Sequence, residues 1–453
     1  MSHPTHPPSG RVRALREILG AQPSGDTRRD PQAAPHLNPV RRAVAGAAAG
    51  RDLPAPQPRW DLLDALPWPQ PGPQRTVDLA DVVATACAPV RFETDNPYPE
   101  HRPYPSPRAK FPVRVVADGH LLAPEADAYL PLPQDVRPQG RAIETGSALR
   151  TLPDFYGPLR RVLAGLETGH LLASVALLGA ALGRPVEVTG RAGEQWAGWL
   201  EALTGGDVVP GYRMTDAALP ASADPAGSGP SWARTVWARN SGRVPRGFAG
   251  FTATRTTVPA DAFRRALAVL SAAGTGLGVL AQARSVLHLY CWVRGVEGLR
   301  DGLYRVDGTE AHRVGDCAPA SGGLLIDAAP VPSLAFDLDR CTMVWMFVAD
   351  LDAAAGLQAT GTGSAGTAPD PARVADDVLA ATGWLAQHLS LAAAAHGMFA
   401  RPLRSFRGDL AAEALGLPPH QQAIYQLACG SGRFDEPGLD ARPTPPELEG
   451  ATA

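Results

Sequence analysis

The chain of 453 residues contains one lysine: all but Lys110 of its 42 basic residues are arginine. Set against 45 acidic residues, they leave a formal charge of −3 and no basic excess to neutralise phosphates, which excludes a dedicated nucleic-acid binder. Cysteine is scarce too. Cys87, Cys291, Cys317, Cys341 and Cys429 lie far apart with no CxxC pair, so neither a disulfide framework nor a zinc module follows. The longest apolar run, Leu171 to Leu182, falls short of the ~20 residues that cross a bilayer. The opening MSHPTHPPSGRVRALREILG lacks the apolar core of a signal peptide. Together these absences lead to the expectation of a soluble, cytoplasmic protein with no membrane or nucleic-acid partner.

Apolar residues make up 45% and charged ones 19%, enough for a packed core. Proline and glycine, 46 and 47 in number, punctuate the chain. Residues 1–75 are rich in Pro, Ala and Arg and read as a partly disordered tail with room for one or two docked helices. A first domain is expected over 76–215, a Pro/Gly/Ser linker over 216–231, a second domain over 232–435 and a loose tail over 436–453. The two domains resemble each other. KFPVRVVADGHLLAPEADAYLPLP and SVLHLYCWVRGVEGLRDGLYRVDG carry the same order of strand and turn signals, the first as an alternating strand. TGHLLASVALLGAALGRPVEV (168–188) lines up with TGWLAQHLSLAAAAHGMFARPL (382–403). Both are helices apolar on every face, ending at Gly183 and Gly397, and such helices must be buried. The expected fold is α+β: a tandem duplication in which strands surround a central helix twice, closing into an intrachain pseudo-dimer.

Two features could carry chemistry. Arg239-Asn240-Ser241-Gly242-Arg243 sets two guanidiniums around a hydroxyl on a short turn, a fork suited to phosphate as well as a common surface pattern. Lys110 is a compact, titratable donor of a kind arginine cannot replace, unless it is a chance survivor of arginine bias.

RNSGR, then PADAFRRALAVL, then VRGVEGLRDGLYR (293–305) resemble the nitroreductase-like flavoproteins, specifically the SagB-type peptide dehydrogenases. LGLPPHQQAIYQLACGSGR matches that branch's closing pattern. The resemblance covers about 235–433 well and 80–190 in degraded form, and makes the first half the degenerate one. It implies FMN at the seam between the halves. Arg239, Asn240, Ser241, Arg243 and Arg433 would hold the phosphate from the second half. The loop Pro105–Pro112, with Ser106, Arg108 and Lys110, would approach the flavin from the first. The complementary pieces are missing, so one composite site and one dead site are expected. The family's Lys-Tyr pair appears as Phe155-Tyr156, followed by Leu166-Glu167-Thr168-Gly169-His170. Tyr156 would act as base, assisted by Lys110 or His170, though Tyr156 also reads as a packing aromatic and His170 as a core histidine. The implied activity is oxidation of thiazoline or oxazoline rings in a ribosomal precursor peptide to azoles, with oxygen as final acceptor and a cyclodehydratase as partner. A homodimer of such chains stays open. Two other readings remain: an NAD(P)H-dependent reductase of nitroreductase type, and a non-catalytic scaffold of the heterocycle-forming complex.

Overall fold

A computed structural model describes residues 9–24, 38–74, 77–94, 96, 98–218, 229–242, 253–316, 338–357, 370–404, 406–432 and 438–442. The first half builds a sheet from β3 (Val113–Ala117), β4 (His120–Ala123), β5 (Ala128–Pro131), β6 (Ile143–Ala148), β7 (Val186–Arg191) and β8 (Val208–Asp216). Ahead of these lie β1 (Arg91–Glu93) and β2 (Glu100–His101). The second half uses β9 (Ala253–Thr254), β10 (Leu287–Val293), β11 (Gly302–Asp307), β12 (Glu310–Gly315), β13 (Met343–Asp350), β14 (Phe399–Leu403) and β15 (Gln421–Gly432).

The strand orders are β5-β4-β3-β6-β8-β7 and β12-β11-β10-β13-β15-β14, with β9 added beside β15. Strand for strand the two orders correspond, and the pairing is antiparallel throughout. The α+β duplication expected from the sequence is therefore the architecture. β3 departs from the expected alternation, being buried at all five positions. Its outer face is covered: Val116 packs with Val44 of the helix Pro39–Ala48 and with Trp196 and Leu200 of the helix Glu194–Thr204. Between the valines, Arg114 is buried and paired with Glu125.

Each half contributes one long helix, Leu159–Ala181 and Pro371–Ala395, and the two cross in the common core. Long and apolar enough to cross a membrane by length and composition, they have 83% and 94% of their most apolar windows buried inside the fold. The threonine before each crossing glycine returns its hydroxyl to its own helix, Thr168 to Ala164 O (2.8 Å) and Thr382 to Val378 O (2.7 Å). A second reciprocal contact lies between the halves, where Trp68 N donates to Pro230 O and Trp232 N to Leu66 O, both at 2.9 Å.

The described parts of 1–75 contain docked helices. The helix Gly10–Leu19 buries Val12, Leu15 and Leu19 in the shared core, and its last carbonyl accepts from Arg404 (2.6 Å). The helix Pro39–Ala48 is capped by Asn38, whose side chain accepts from Val40 N and Arg41 N. A short helix Trp60–Asp64 packs on Trp232–Ala238. Three residues of the expected C-terminal tail, Gly438–Asp440, form β16, which pairs with β1. Apolar residues three or four apart make the first two helices amphipathic; the first packs on the long helix Pro371–Ala395 and the second on Glu194–Thr204 of the first half. Much of the expected linker and of the loop before Pro371 lies outside the described residues.

Candidate functional site

Arg239 follows the helix Trp232–Ala238, begun by Ser231 accepting from Arg234 N (3.2 Å). Its side chain turns inward and is 2% exposed. Nη2 donates to Arg102 O across the seam (2.8 Å), whereas Nε and Nη1 have no partner among the described residues. Burial, reinforced by the like charge of Arg91 and opposed by Glu93, draws the Arg239 pKa down to about 9. Arg91 secures the turn by donating to Trp237 O and to Arg239 O (2.9 Å). A buried guanidinium with unanswered donors carries a desolvation cost of several kcal/mol, a pattern Arg404 shares, with Nη2 on Leu19 O and Nε and Nη1 without partners among the described residues.

The rest of the turn is internal. Asn240 Oδ1 accepts from Gly242 N (2.9 Å) and Nδ2 donates to Ala238 O (3.0 Å), with Gly242 at φ +80. Expected to contact cofactor, the Asn240 side chain instead shapes the bend, as an Asx turn does. Ser241 is half-buried and its carbonyl accepts from Arg401 (3.2 Å). Arg243 and Arg433, expected to complete the phosphate grip, lie outside the described residues.

The facing loop, 102–112, meets Arg239 through the carbonyl of Arg102. Three of its non-glycine residues are left-handed: Arg108 (φ +51), Ala109 (φ +49) and Phe111 (φ +49). Each such residue costs about 1–3 kcal/mol and persists only where its surroundings hold it. Here the Arg102 guanidinium stacks on the Phe111 ring at 3.8 Å and Tyr104 meets that ring edge-on at 5.8 Å. Ser106 Oγ accepts from Phe111 N (2.8 Å) and donates to Glu167 on the first central helix (2.6 Å). The Ser106 hydroxyl, expected to contact cofactor, is thus engaged in the loop's own architecture. Arg108 stacks over Phe155 (5.0 Å) and Tyr98 (5.7 Å). Lys110 is 4% exposed and lines a cavity of about 10 Å³, room for one water, with Asn38, Arg41, Tyr98, Glu100 and Arg108. Arg239 does not line that cavity.

His170 lies one turn beyond Glu167 on the same helix. Its Nδ1 meets Gln387 Oε1 (3.1 Å), its Nε2 meets Tyr425 Oη (3.0 Å), and Gln387 donates onward to Pro103 O (2.9 Å). Burial pushes its pKa down to about 3. The expectation that His170 assists as a base is corrected: the ring is neutral, with both nitrogens bonded to the other half, and it clamps the halves together. Tyr156 ends a short 3-10 turn, Asp154–Tyr156, and is half-buried with its ring 4.5 Å from that of Phe155. Arg401, desolvated so that its pKa falls to about 10, interacts electrostatically with Tyr156 and Tyr98. The seam thus gathers Arg239, the Ser106 loop and His170 through Arg102, Pro103 and Gln387, and sets Tyr156 beside Arg401.

Sequence reasoning missed Arg102, Gln387, Arg401 and Glu167. A partial signal existed for two of them, since Glu167 and Gln387 are polar residues within largely apolar helices, though they share that with Thr168, His170, Asp376, Asp377 and His388. Arg102 and Arg401 look like any other arginine in an arginine-rich chain. A second cavity, of about 400 Å³, opens in the second half and is lined by Arg255, Thr256, Arg294, Asp301, Arg340 and Thr342.

Paired sheets, crossing central helices and a polar seam define a nitroreductase-like α+β fold closed into a pseudo-dimer within one chain. The structure of a protein assigned as a nitroreductase from Anabaena variabilis ATCC 29413 aligns with 87% of this chain and 99% of its own, at TM-score 0.57 and 14% identity. Shorter matches include a nitroreductase-type protein from Exiguobacterium sibiricum in complex with FMN (44% of this chain, 88% of its own, TM-score 0.29, 14% identity). Another is the E. coli microcin synthetase McbBCD complex with truncated pro-MccB17 (40% of this chain, 66% of its own, TM-score 0.31, 12% identity). No protein-family model matches the chain, and no curated protein matches it.

Proposed function

We propose that this chain is an FMN-dependent dehydrogenase that oxidises thiazoline or oxazoline rings of a ribosomally made peptide to thiazoles or oxazoles, working beside a cyclodehydratase. The reading rests on one observation: a buried arginine at the seam, Arg239, with two guanidinium nitrogens that have no partner among the described residues, next to a strained loop from the other half. A phosphate would neutralise the charge and accept from one edge of the guanidinium, at Nε or at Nη1. Arg239, with Arg243 and Arg433, would hold the phosphate of FMN, and the 105–112 loop would border the flavin. Bound FMN would supply a two-electron acceptor. Tyr156 would take the ring proton as its phenolate and become the neutral phenol, the positive charge of Arg401 favouring the phenolate that does so. Aromatisation favours the oxidation, so the chain's main task is to position ring and base.

The spectrum of the purified protein is the first test: a flavin band near ~450 nm, as isolated or after adding FMN, is expected. A colourless protein that takes up no FMN would favour the scaffold reading. With flavin bound, an azoline-bearing peptide should lose two hydrogens per ring while NAD(P)H is not consumed. Rapid NAD(P)H oxidation would favour the reductase reading.

A further inference from the structure

Glu167 has no part in the proton transfer just described, yet it sits at the centre of the seam. It is 2% exposed, on a largely apolar helix that also buries Thr168, His170 and Ser174, with Oε2 accepting from Ser106 Oγ (2.6 Å) and Oε1 without a partner among the described residues. Ser106 in turn accepts the Phe111 N–H (2.8 Å), so one hydroxyl ties the helix to a loop carrying three left-handed residues. A serine hydroxyl has one proton to donate, and here it goes to the carboxyl group.

We propose that Glu167, in its neutral form, is the positioning residue that latches the 105–112 loop against the first central helix through Ser106. The proposal deepens the flavin reading, which makes this loop cofactor-facing. As a neutral acid, Glu167 accepts the Ser106 proton on Oε2 and brings no charge into the core, although the Ser106 O–H and the Val113 N–H both favour the charged form. As a carboxylate it would place a full charge in the same apolar surroundings. Arg102 and Arg114 face it from the loop and from β3 and favour the charge, while Tyr104, Cys87 and Tyr425 border it from the loop, the helix Leu79–Cys87 and β15. Burial outweighs the two arginines and lifts the Glu167 pKa to about 8. Below that pH the latch is closed, and as pH rises through it the buried charge works against the packed helix–loop contact.

The sequence supplies an unusual probe. Lys110, the only lysine, lies in this loop and is 4% exposed, so a lysine-specific endoproteinase has one site in the whole chain, the Lys110–Phe111 bond. Cutting of the full-length protein is followed at pH 7 and pH 9, with the protease's own pH dependence divided out on a lysine peptide. Wild type should be cut about tenfold faster at pH 9, following the ionised fraction of an acid titrating near pH 8. Ser106→Ala should be cut at least tenfold faster than wild type at pH 7. Glu167→Gln, which keeps an acceptor oxygen and cannot ionise, should be as protected as wild type at pH 7 and stay protected at pH 9. Equal cutting of Ser106→Ala and wild type at pH 7 overturns the latch, as does a wild-type pH rise in Glu167→Gln. Glu167→Gln keeps the test decisive if Ser106→Ala does not fold. FMN binding, read by quenching of flavin fluorescence, separates the two readings. Protection that follows Glu167 in a protein that binds no FMN leaves the latch standing and removes the flavin. FMN binding with protection indifferent to Glu167 does the reverse.

Discussion

Gly169 and Gly383 stand against each other's helices at the crossing of the two halves. A methyl group on Gly169 would come within 2.0 Å of Ala380 O, and one on Gly383 within 2.0 Å of Leu166 O. The contact is reciprocal, as a two-fold axis requires, and each glycine follows a threonine bonded back to its own helix. Either helix can approach this closely only because the other has no side chain there. Gly169→Ala and Gly383→Ala should each destabilise the fold by about 3 kcal/mol, since a backbone carbonyl cannot step aside as a flexible side chain can. Denaturant unfolding measures this, and wild-type stability in either variant would place the crossing elsewhere.

Arg239→Met should separate stability from binding. Without ligand, a well-packed apolar side chain in place of a buried, under-paired charge should leave stability unchanged or raise it by about 1–4 kcal/mol. FMN and inorganic phosphate should raise the melting temperature of wild type and have no effect on the variant. A variant still stabilised by FMN would move the phosphate site away from Arg239.

Tyr156→Phe removes one oxygen from a half-buried ring already packed on Phe155. The protein should fold and bind FMN as before, with azoline oxidation slowed by about 100-fold or more, the scale of a lost general base. Unchanged turnover would end the assignment of Tyr156 as base.

His170 gives an acid signature. Its folded pKa, about 3, lies below the ordinary value of 6.5, so its stabilising effect is complete above pH 6.5 and is lost as pH falls toward 3. His388, pushed down to about 4, acts in the same direction. Stability measured from pH 7 to pH 4 should fall less steeply in His170→Gln than in wild type, from a lower starting value, because the bridge to Gln387 and Tyr425 is impaired. Parallel profiles would show that His170 is not neutral in the folded state.

Leu15→Ala tests whether the first helix belongs to the core. Leu15 is fully buried, and its truncation should cost about 2–5 kcal/mol, as for other large-to-small core changes. A loss below half a kcal/mol would return the segment to the status of a tail.

The pseudo-equivalent residues next to the crossing glycines show where sequence reading stops. His170 and Trp384 occupy matching positions, yet His170 bonds to Gln387 and Tyr425 whereas the Trp384 indole donates to Ala273 O (2.8 Å). A duplication with one altered side was legible in the TGH and TGW strings. That the tryptophan reaches the backbone where the other side has a loop was not, because that contact spans 111 residues.

The sequence alone determined the α+β class, the doubled architecture and its two largely apolar, buried helices, since periodicity and composition act over neighbouring residues and carry their meaning locally. Through resemblance it also gave the expectation that the Arg239 turn and the Lys110 loop share one site; in the structure Arg239 meets this loop at Arg102 O and does not line the Lys110 cavity. Tertiary structure decided which polar groups remain available. Asn240 and Ser106 are engaged within their own bend and loop, His170 is neutralised between the halves, and Arg239 Nε and Nη1 have no partner among the described residues. Such assignments depend on which partners arrive from a hundred or more residues away and on how much water they exclude. Desolvation, the quantity that sets both the Arg239 and the Glu167 charge states, exists only once both halves have closed.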